Sequence, residues 1–511
     1  MTETIQPRVG SVADRVSADD PRYDLLAGRA PNQRFTARPT SFRVVTTTDQ
    51  VIAAVRDSVA NGQRVAVRSG GHCFENVAGN PDVEVVLDLG EMTAIAYDPA
   101  RDAIMIEPGA RLADVYRTLY LRWGVTIPAG DSATVGIGGQ VMGGGYGSLC
   151  RQYGLSVDHL HAVEVVVVDA DGSVRAVVAT NAPDDPNRDL WWAHTGGGGG
   201  NFGVVTRYWF RSPTATGGDP GTLLPRPPSV VRAQTVLFPR AGLDQAALRT
   251  LVGNFGRWHE EHSAADSPFA SLFAGLVLLG LGTADNDMGA VAFAHVDGDR
   301  PDADELLQQF IGALTEGLGT LPVLLPTESL SWLGAKKALA EAQDAGTGRQ
   351  KGKSSFLRAG YTTDQIDTLY RYLNSTEQAN DSSLVAIQSY GGAVNAVPTD
   401  ATASAQRDSV MQVLFMNFWS SAEHDEINLT WIRKFFQEMH IETGGVPVGP
   451  ADAGCYINFA DADVADPAWN TSGVAWSEVY YQGNYPRLRA VKAAWDPCNV
   501  FRHALSIEPA S

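Results

Sequence analysis

The sequence predicts a two-domain protein of the α+β class, on three observations. Its 511 residues exceed what one hydrophobic core usually organises. Strand-like apolar runs alternate with amphipathic helical periods, in a composition that is 44% hydrophobic and 19% charged, as in ordinary globular proteins. The pattern then breaks at "SPTATGGDPGTLLPRPPSV" (residues 212–230), a Pro/Gly-rich linker. Residues 1–212 are therefore expected to form the first domain, with the second beginning at 213.

Residues 1–40 are polar and Pro/Arg-rich and read as a lead-in without periodicity. "TTTDQVIAAVRDSVANG" follows as a helix. Thr47 and Gln50 have capping-box spacing, and Val51, Ile52, Val55 and Val59 share one face. "RVAV", "VEVVLDL" and "AIMIEP" read as short strands, and "RLADVYRTLYLRWG" as a second helix with Leu112, Val115, Tyr116 and Leu119 on one side. A long glycine-rich segment comes next, "IPAGDSATVGIGGQVMGGGYGSLCRQYGL". "AVEVVVVDADGSVRAVVAT" is a hairpin turning at Asp171-Gly172. "DLWWAHTGGGGGNFGVVTRYWF" sets another glycine run between a tryptophan pair and an alternating strand. Beyond the linker, strand-like runs ("SLFAGLVLLG", "AVAFAHV", "LVAIQSYGGAVNAV", "VMQVLFMNFW") alternate with helices such as "DADELLQQFIGALTEG" and "TTDQIDTLYRYLNS". That order suggests an antiparallel sheet covered by helices. The tail, "YYQGNYPRLRAVKAAWDPCNVFRHALSI", reads as a helix and a compact stop.

Charge and cysteine usage exclude several function classes. A net charge of -19 with no Lys/Arg run argues against nucleic acid as a partner. Cys73, Cys150, Cys455 and Cys498 form no CxxC pair and no cluster with His, so no metal site is expected and free thiols are. The start, "MTETIQPRVG", carries no basic stretch followed by an apolar run, and no segment has the ~20 apolar residues of a membrane helix. A cytoplasmic protein without a membrane partner is the expectation. The sequence leaves its oligomeric state open.

Three glycine clusters in one domain suggest backbone amides closing around a large ligand, suited to one with phosphates. Flexible linkers would be Ser-rich, whereas these runs are flanked by strands and aromatics. No GxxxxGK[ST] is present, and "GIGGQV" lacks the strand and third glycine of a dinucleotide fingerprint.

"VRSGGHCFENVAGN", "IPAGDSATVGIGGQVMGGGYGSLCRQYGLSVDHL", "DLWWAHTGGGGGNFGVVTRYWF" and "WDPCNVFRHALSI" follow one another in the order and spacing of the berberine-bridge-enzyme-like flavoproteins, within the vanillyl-alcohol-oxidase fold family. The resemblance runs from about residue 35 to the C-terminus and is nearest to bacterial oxidases of sugars and secondary metabolites. It implies an FAD-binding domain of two α/β subdomains, a substrate domain at 213–464, and a return to the FAD-binding domain at 465–511. It also implies that His72 holds FAD covalently through the 8α-methyl, the imidazole being nucleophilic near neutral pH. Arg68, Ser69, Gly70 and Gly71 would lie along the pyrophosphate, the other reading of Arg68 being a strand-end charge. Ser132, Val135, Gly136, Gly139, Gln140, Tyr146, Asn201, Val204 and Asn499 complete the implied cofactor site.

The chain departs from the family at two positions. Many relatives bond a cysteine of "GxCPxVG" to the flavin, but "GDSATVG" puts Ser132 there, and serine lacks the acidity of a thiol. A second, cysteinyl bond is therefore not expected, and Cys150 reads as a small buried hydrophobe. Where relatives continue "GGH", this chain has "GGQ", so Gln140 replaces a charge with an amide. Both changes should make the flavin less oxidising. Val135 stands where a small residue admits dioxygen in relatives; plain packing is its other reading.

Alcohol oxidation needs a group to remove the hydroxyl proton as hydride leaves for flavin N5. The resemblance gives that role to a Tyr in a "YxN[YF]xDxD" strand, here "CYINFADAD", with Tyr456 as base and Asn458 beside it. Tyrosine serves only if its phenolate is stabilised. "IQSYGG" offers Gln388 and Tyr390 as supporting site residues. Leu414 stands where other relatives place an acidic or amide base and cannot serve, and Phe74 and Leu414 join Asn458 as substrate contacts. The expected activity is an FAD-dependent oxidase of a small-molecule sugar, glycoside or polyketide-like metabolite, with dioxygen as acceptor. A flavin dehydrogenase, an oxygenating flavin enzyme and a non-catalytic flavin-binding protein remain alternatives.

Overall fold

The computed structural model describes residues 13–282, 287–319, 321–343 and 347–510. The first residues, read above for a leader, lie outside them. Three sheets organise the described chain. Asp14–Ser17, Ser41–Val44, Val85–Asp88 and Val65–Arg68 form a four-stranded sheet, parallel except for its first pair. Ile95–Asp98, Ala103–Ile106, Val204–Phe210, Leu160–Val168 and Val174–Thr180 form a five-stranded antiparallel sheet. The helix Thr48–Ala60 begins at Thr47, whose hydroxyl accepts from the Gln50 amide at 3.3 Å. The return arm reaches one residue further than a capping box requires, from Gln50 Oε1 to the Thr46 amide at 2.8 Å.

Ten strands between Val230 and Ala453 form an antiparallel sheet. One face is closed by helices: His259 meets Ser389 Oγ at 2.7 Å, and Phe415 packs edge-on to Phe435 and Phe436. The opposite face carries Val277, Leu279, Phe293, Leu384, Leu414 and Phe418, all only half-buried. Side chains alternate along a strand, and the register confirms this row: Ala386 stands opposite both Val277 and Leu414, and Leu414 opposite Ser354. This apolar face looks toward the glycine loops, because Tyr146 Oη reaches Gln388 Oε1 at 3.2 Å. Among the described residues no helix is long and apolar enough to cross a membrane.

The chain's end packs against the second glycine run. Lys492, on the helix Tyr485–Trp495, is fully buried; it pairs with Asp496 at 2.5 Å and donates to the carbonyls of Asn201 and Phe501 at 2.6 Å. An ammonium so deep must have every proton met, and here three acceptors meet it. The sequence reading missed several elements: the lead-in holds the helix Tyr23–Ala27 as well as its strand, and Arg349–Leu357 ("RQKGKSSFL") is too charged to read as an interior strand.

Candidate active site

Two glycine loops meet backbone to backbone. A Cβ on Gly70 would lie 2.4 Å from the Gly136 nitrogen, and one on Gly136 would lie 2.1 Å from Ser69 Oγ and 2.6 Å from the Gly70 nitrogen. Only glycine permits that approach. Gly136→Ala should therefore cost about 1–3 kcal/mol of stability through overpacking, read as a lower thermal midpoint. An unchanged midpoint would mean that the loops yield freely.

The contact sets His72 against the second loop. Its Nε2 lies 3.1 Å from Thr134 Oγ1, and Ser132 and Val135 stand half-buried on the same loop. The neighbouring Cys73 is accessible, yet the protein around it pushes its thiol up to about 11. Exposure and desolvation coincide where a group lines a deep concavity. All four cysteines are free, and Cys150 is fully buried with its thiol pushed up to about 12 by burial.

Tyr456 stands across the cleft, caged edge-on by Tyr146, Phe356 and Phe459. Its segment is not the strand the motif predicted. Ile457–Phe459 is a tight 3-10 turn, because Asn458 Nδ2 bends back to the Gln140 carbonyl at 2.9 Å. The turn creates the site's most unusual feature. Two N–H groups donate to the Tyr456 oxygen, Asn458 Nδ2 at 3.0 Å and the Tyr146 amide at 3.3 Å. Burial raises this phenol above its ordinary pKa, and these donors, with the nearby Gly145 amide, pull against that rise. The two donors fill both lone pairs of the phenol, and both bonds strengthen if its proton leaves.

Several expected residues sit elsewhere. Tyr390 is 2% exposed, tilted against Phe356 and Tyr146, with its hydroxyl donating to the Gln406 carbonyl at 3.0 Å. In that packing its hydroxyl is turned away from Tyr456. Gln388 does face the cleft, but it meets Tyr146 Oη and not Tyr456. Arg68 is engaged by the protein itself. Buried Asp88 holds it at 2.6 Å, and its other arm donates to the Leu26 carbonyl. Ser69 Oγ donates to the Pro108 carbonyl at 2.6 Å. Asn201 is buried, its amide turned back to the Gly197 carbonyl, and Val204 packs in the core behind the four-stranded sheet. Neither side chain lines the cleft. Gln140 Nε2 donates to the Tyr146 carbonyl at 3.0 Å, Leu414 lies on the open sheet face, and Phe74 stacks on Phe459 at 5.0 Å. Sequence reasoning passed over Thr134, Gly145 and the Lys336–Asp131 ion pair that anchors the Ser132 loop to the helix Trp332–Gln343.

The cleft fits FAD on its own geometry. A Cβ on Gly139 or Gly199 would meet nothing within 4 Å, so both line open space. Asn499 is held with φ at +49°, and its Oδ1 is buried without a partner. A buried acceptor left unmet is costly, and the N–H and O–H groups of a flavin or its ribityl chain are suitable donors. The residues that would hold the cofactor are the amides of the 70–72, 136–139 and 198–200 loops, with Asn499 at the far wall.

Residues 39–177 match the FAD binding domain, and residues 455–508 match the berberine and berberine-like domain. The chain is 48% identical to the aclacinomycin-N/aclacinomycin-A oxidase of Streptomyces galilaeus over 97% of its own length and 90% of that protein's. Among solved structures it superposes on aclacinomycin oxidoreductase with a TM-score of 0.94 at 47% identity, covering 98% of this chain and 100% of that one. A glycopeptide hexose oxidase complexed with teicoplanin gives a TM-score of 0.92 at 45% identity, covering 97% and 99%.

Proposed function

This chain belongs to the berberine-bridge-enzyme-like family of FAD-dependent oxidoreductases, within the vanillyl-alcohol-oxidase fold family, and we propose that it oxidises a hydroxyl-bearing carbon of a glycosylated secondary metabolite. Bound FAD supplies the two-electron acceptor for the hydride that leaves that carbon. Tyr456 takes the hydroxyl proton on its phenolic oxygen as the hydride departs. Asn458 and the Tyr146 amide hold that oxygen in place and favour its anion. The apolar sheet face carrying Leu384, Leu414 and Phe293 excludes water and offers a surface for a ring system. Relatives named for aclacinomycin and for the hexose of a glycopeptide support a sugar-bearing substrate.

The observation that supports this reading most is the pair of N–H donors on one buried phenol at the cleft. Anaerobic mixing with sugar-bearing metabolites tests it, because bleaching of the flavin absorbance requires hydride transfer. A chain that no such compound bleaches is not this oxidase.

Covalent attachment through His72 and reoxidation by dioxygen belong to the same proposal. Val135, half-buried beside Ser132 and packed on the main core, is small enough to leave dioxygen a path. Val135→Leu should slow reoxidation in stopped flow about tenfold or more, the order of one lost 1.4 kcal/mol, with reduction by substrate unchanged. If the wild type reoxidises only with an artificial dye, the oxidase reading fails.

A further inference from the structure

Behind the cleft lies a buried cluster of six charges that the chemistry above does not use. Lys351 Nζ contacts Glu75, Asp461 Oδ1 at 2.6 Å and Asp463 Oδ2 at 3.3 Å. Lys353 Nζ contacts Asp461 Oδ2 at 2.6 Å and Asp463 Oδ2 at 2.8 Å. Arg433 adds a third cation at 2.8 Å from Asp463 Oδ1. Three cations face three carboxylates, so the cluster is neutral. Burial opposes the charge on Lys351, whose side chain is 2% exposed, but Asp461, Glu75 and Asp463 outweigh it and raise its pKa.

The cluster's position in the chain is informative. Glu75 lies three residues after His72, and its Oε1 also accepts from the Ala462 amide at 3.3 Å. Asp461 and Asp463 follow Tyr456 by five and seven residues on the turn that carries it. Both segments are thus fastened to one strand, Arg349–Leu357, at consecutive residues. Lys351 holds Glu75 and Asp461. Gly352 receives the Phe74 ring, whose Cδ2 lies 2.5 Å from where a Cβ would stand. Lys353 holds both aspartates, and Ser354 Oγ accepts the Tyr456 amide at 3.0 Å. The triplet "KGK" places two ammoniums on one side of the strand and an aromatic ring on the other. The strand therefore acts as a ruler that fixes the spacing between His72 and Tyr456.

We infer that Lys351 and Glu75 are positioning residues that set the His72 loop in register with the Tyr456 turn, so that flavin attachment and proton removal depend on one ionic junction. The inference rests on the proposal that His72 carries the cofactor. In that step an imidazole nitrogen of His72 bonds the 8α carbon of FAD. Two protons leave, one from the methyl and one from the ring nitrogen, and the two electrons retained by the isoalloxazine pass to dioxygen.

The test uses the full chain produced under riboflavin starvation and then given FAD. Glu75→Gln keeps the shape of the side chain and its bonds to Lys351 and Ala462 but removes the charge. The rate of acid-stable flavin formation at saturating FAD should fall about 10- to 100-fold, the order seen when a supporting partner is weakened, because a neutral amide holds the buried ammonium less firmly than a carboxylate. The dissociation constant for FAD before attachment should stay within about twofold, since the glycine cradle is untouched. In the loaded enzyme, flavin reduction should slow while substrate affinity holds. Should Glu75→Gln fold poorly, Glu75→Asp keeps the charge on a shorter arm and should show the same split on a smaller scale. Attachment at the wild-type rate would overturn the inference, as would an FAD affinity that falls by the same factor as the rate, because that marks general loosening. A wild type that releases its flavin to acid removes the parent reading before any variant is made.

Discussion

Tyr456→Phe should lower the anaerobic rate of flavin reduction about 10²–10⁴-fold, the range for a positioned acid/base group, or roughly 3–5 kcal/mol of barrier. The substitution keeps the ring and its edge-on contacts with Tyr146, Phe356 and Phe459. It removes only the oxygen to which Asn458 and the Tyr146 amide donate. Substrate affinity should change little, because the lost interaction strengthens as the proton moves. The pH profile gives a second reading of the same group. Burial raises this phenol while the donors oppose the rise, and a base held above the working pH is mostly protonated. The reduction rate should therefore climb with pH between about 6 and about 9, and Tyr456→Phe should lose that slope. Tyr390→Phe is the control. Its hydroxyl is bound to the Gln406 carbonyl in closed packing, so reduction should stay within about twofold. A Tyr456→Phe enzyme that reduces its flavin within about threefold of wild type places the base elsewhere, since that loss is under 1 kcal/mol.

What the sequence disclosed and what it hid follow from the range of each interaction. The glycine loops were legible because the constraint is local: Gly70 and Gly136 must lack side chains, and the sequence prints that directly. The Leu112, Val115, Tyr116 and Leu119 face was legible for the same reason, and all four are buried. The phenolate cradle was not, because the Tyr146 amide reaches its acceptor across 310 residues of chain and backbone donors leave no mark in composition. Arg68 had two readings because a basic residue at a strand's end suits a phosphate as well as a carboxylate, and its partner Asp88 lies on the neighbouring parallel strand. The burial of Tyr390 was hidden, because the strand stops at Ser389 and the chain turns at Gly391, with φ at +81°. That break carries its ring into the core. The charged strand around "KGK" was invisible because buried ion pairs and solvated charges look alike in sequence.

His72→Ala should convert a flavin that survives acid precipitation into one released wholly to the supernatant. Peptide mapping of the wild type should find the adduct on the peptide containing "SGGHCFENVAGN" and none on the peptide containing Ser132. The variant should still bind FAD, because the cradle is built from elements the imidazole does not support. The Gly70–Gly136 contact is backbone against backbone, and Lys492 with Asp496 clasps the second glycine run independently. With serine at 132, the proposed tether rests on the histidine alone, so its loss should leave a freely exchangeable cofactor. Turnover should then rise and saturate with added FAD, following simple mass action, whereas wild-type turnover should ignore added FAD. Retained turnover at saturating FAD should be weaker, because a flavin without its 8α substituent is a poorer oxidant. A His72→Ala chain whose flavin still resists acid would put the bond on another residue, and Cys73, the accessible thiol beside it, would be the first peptide to examine.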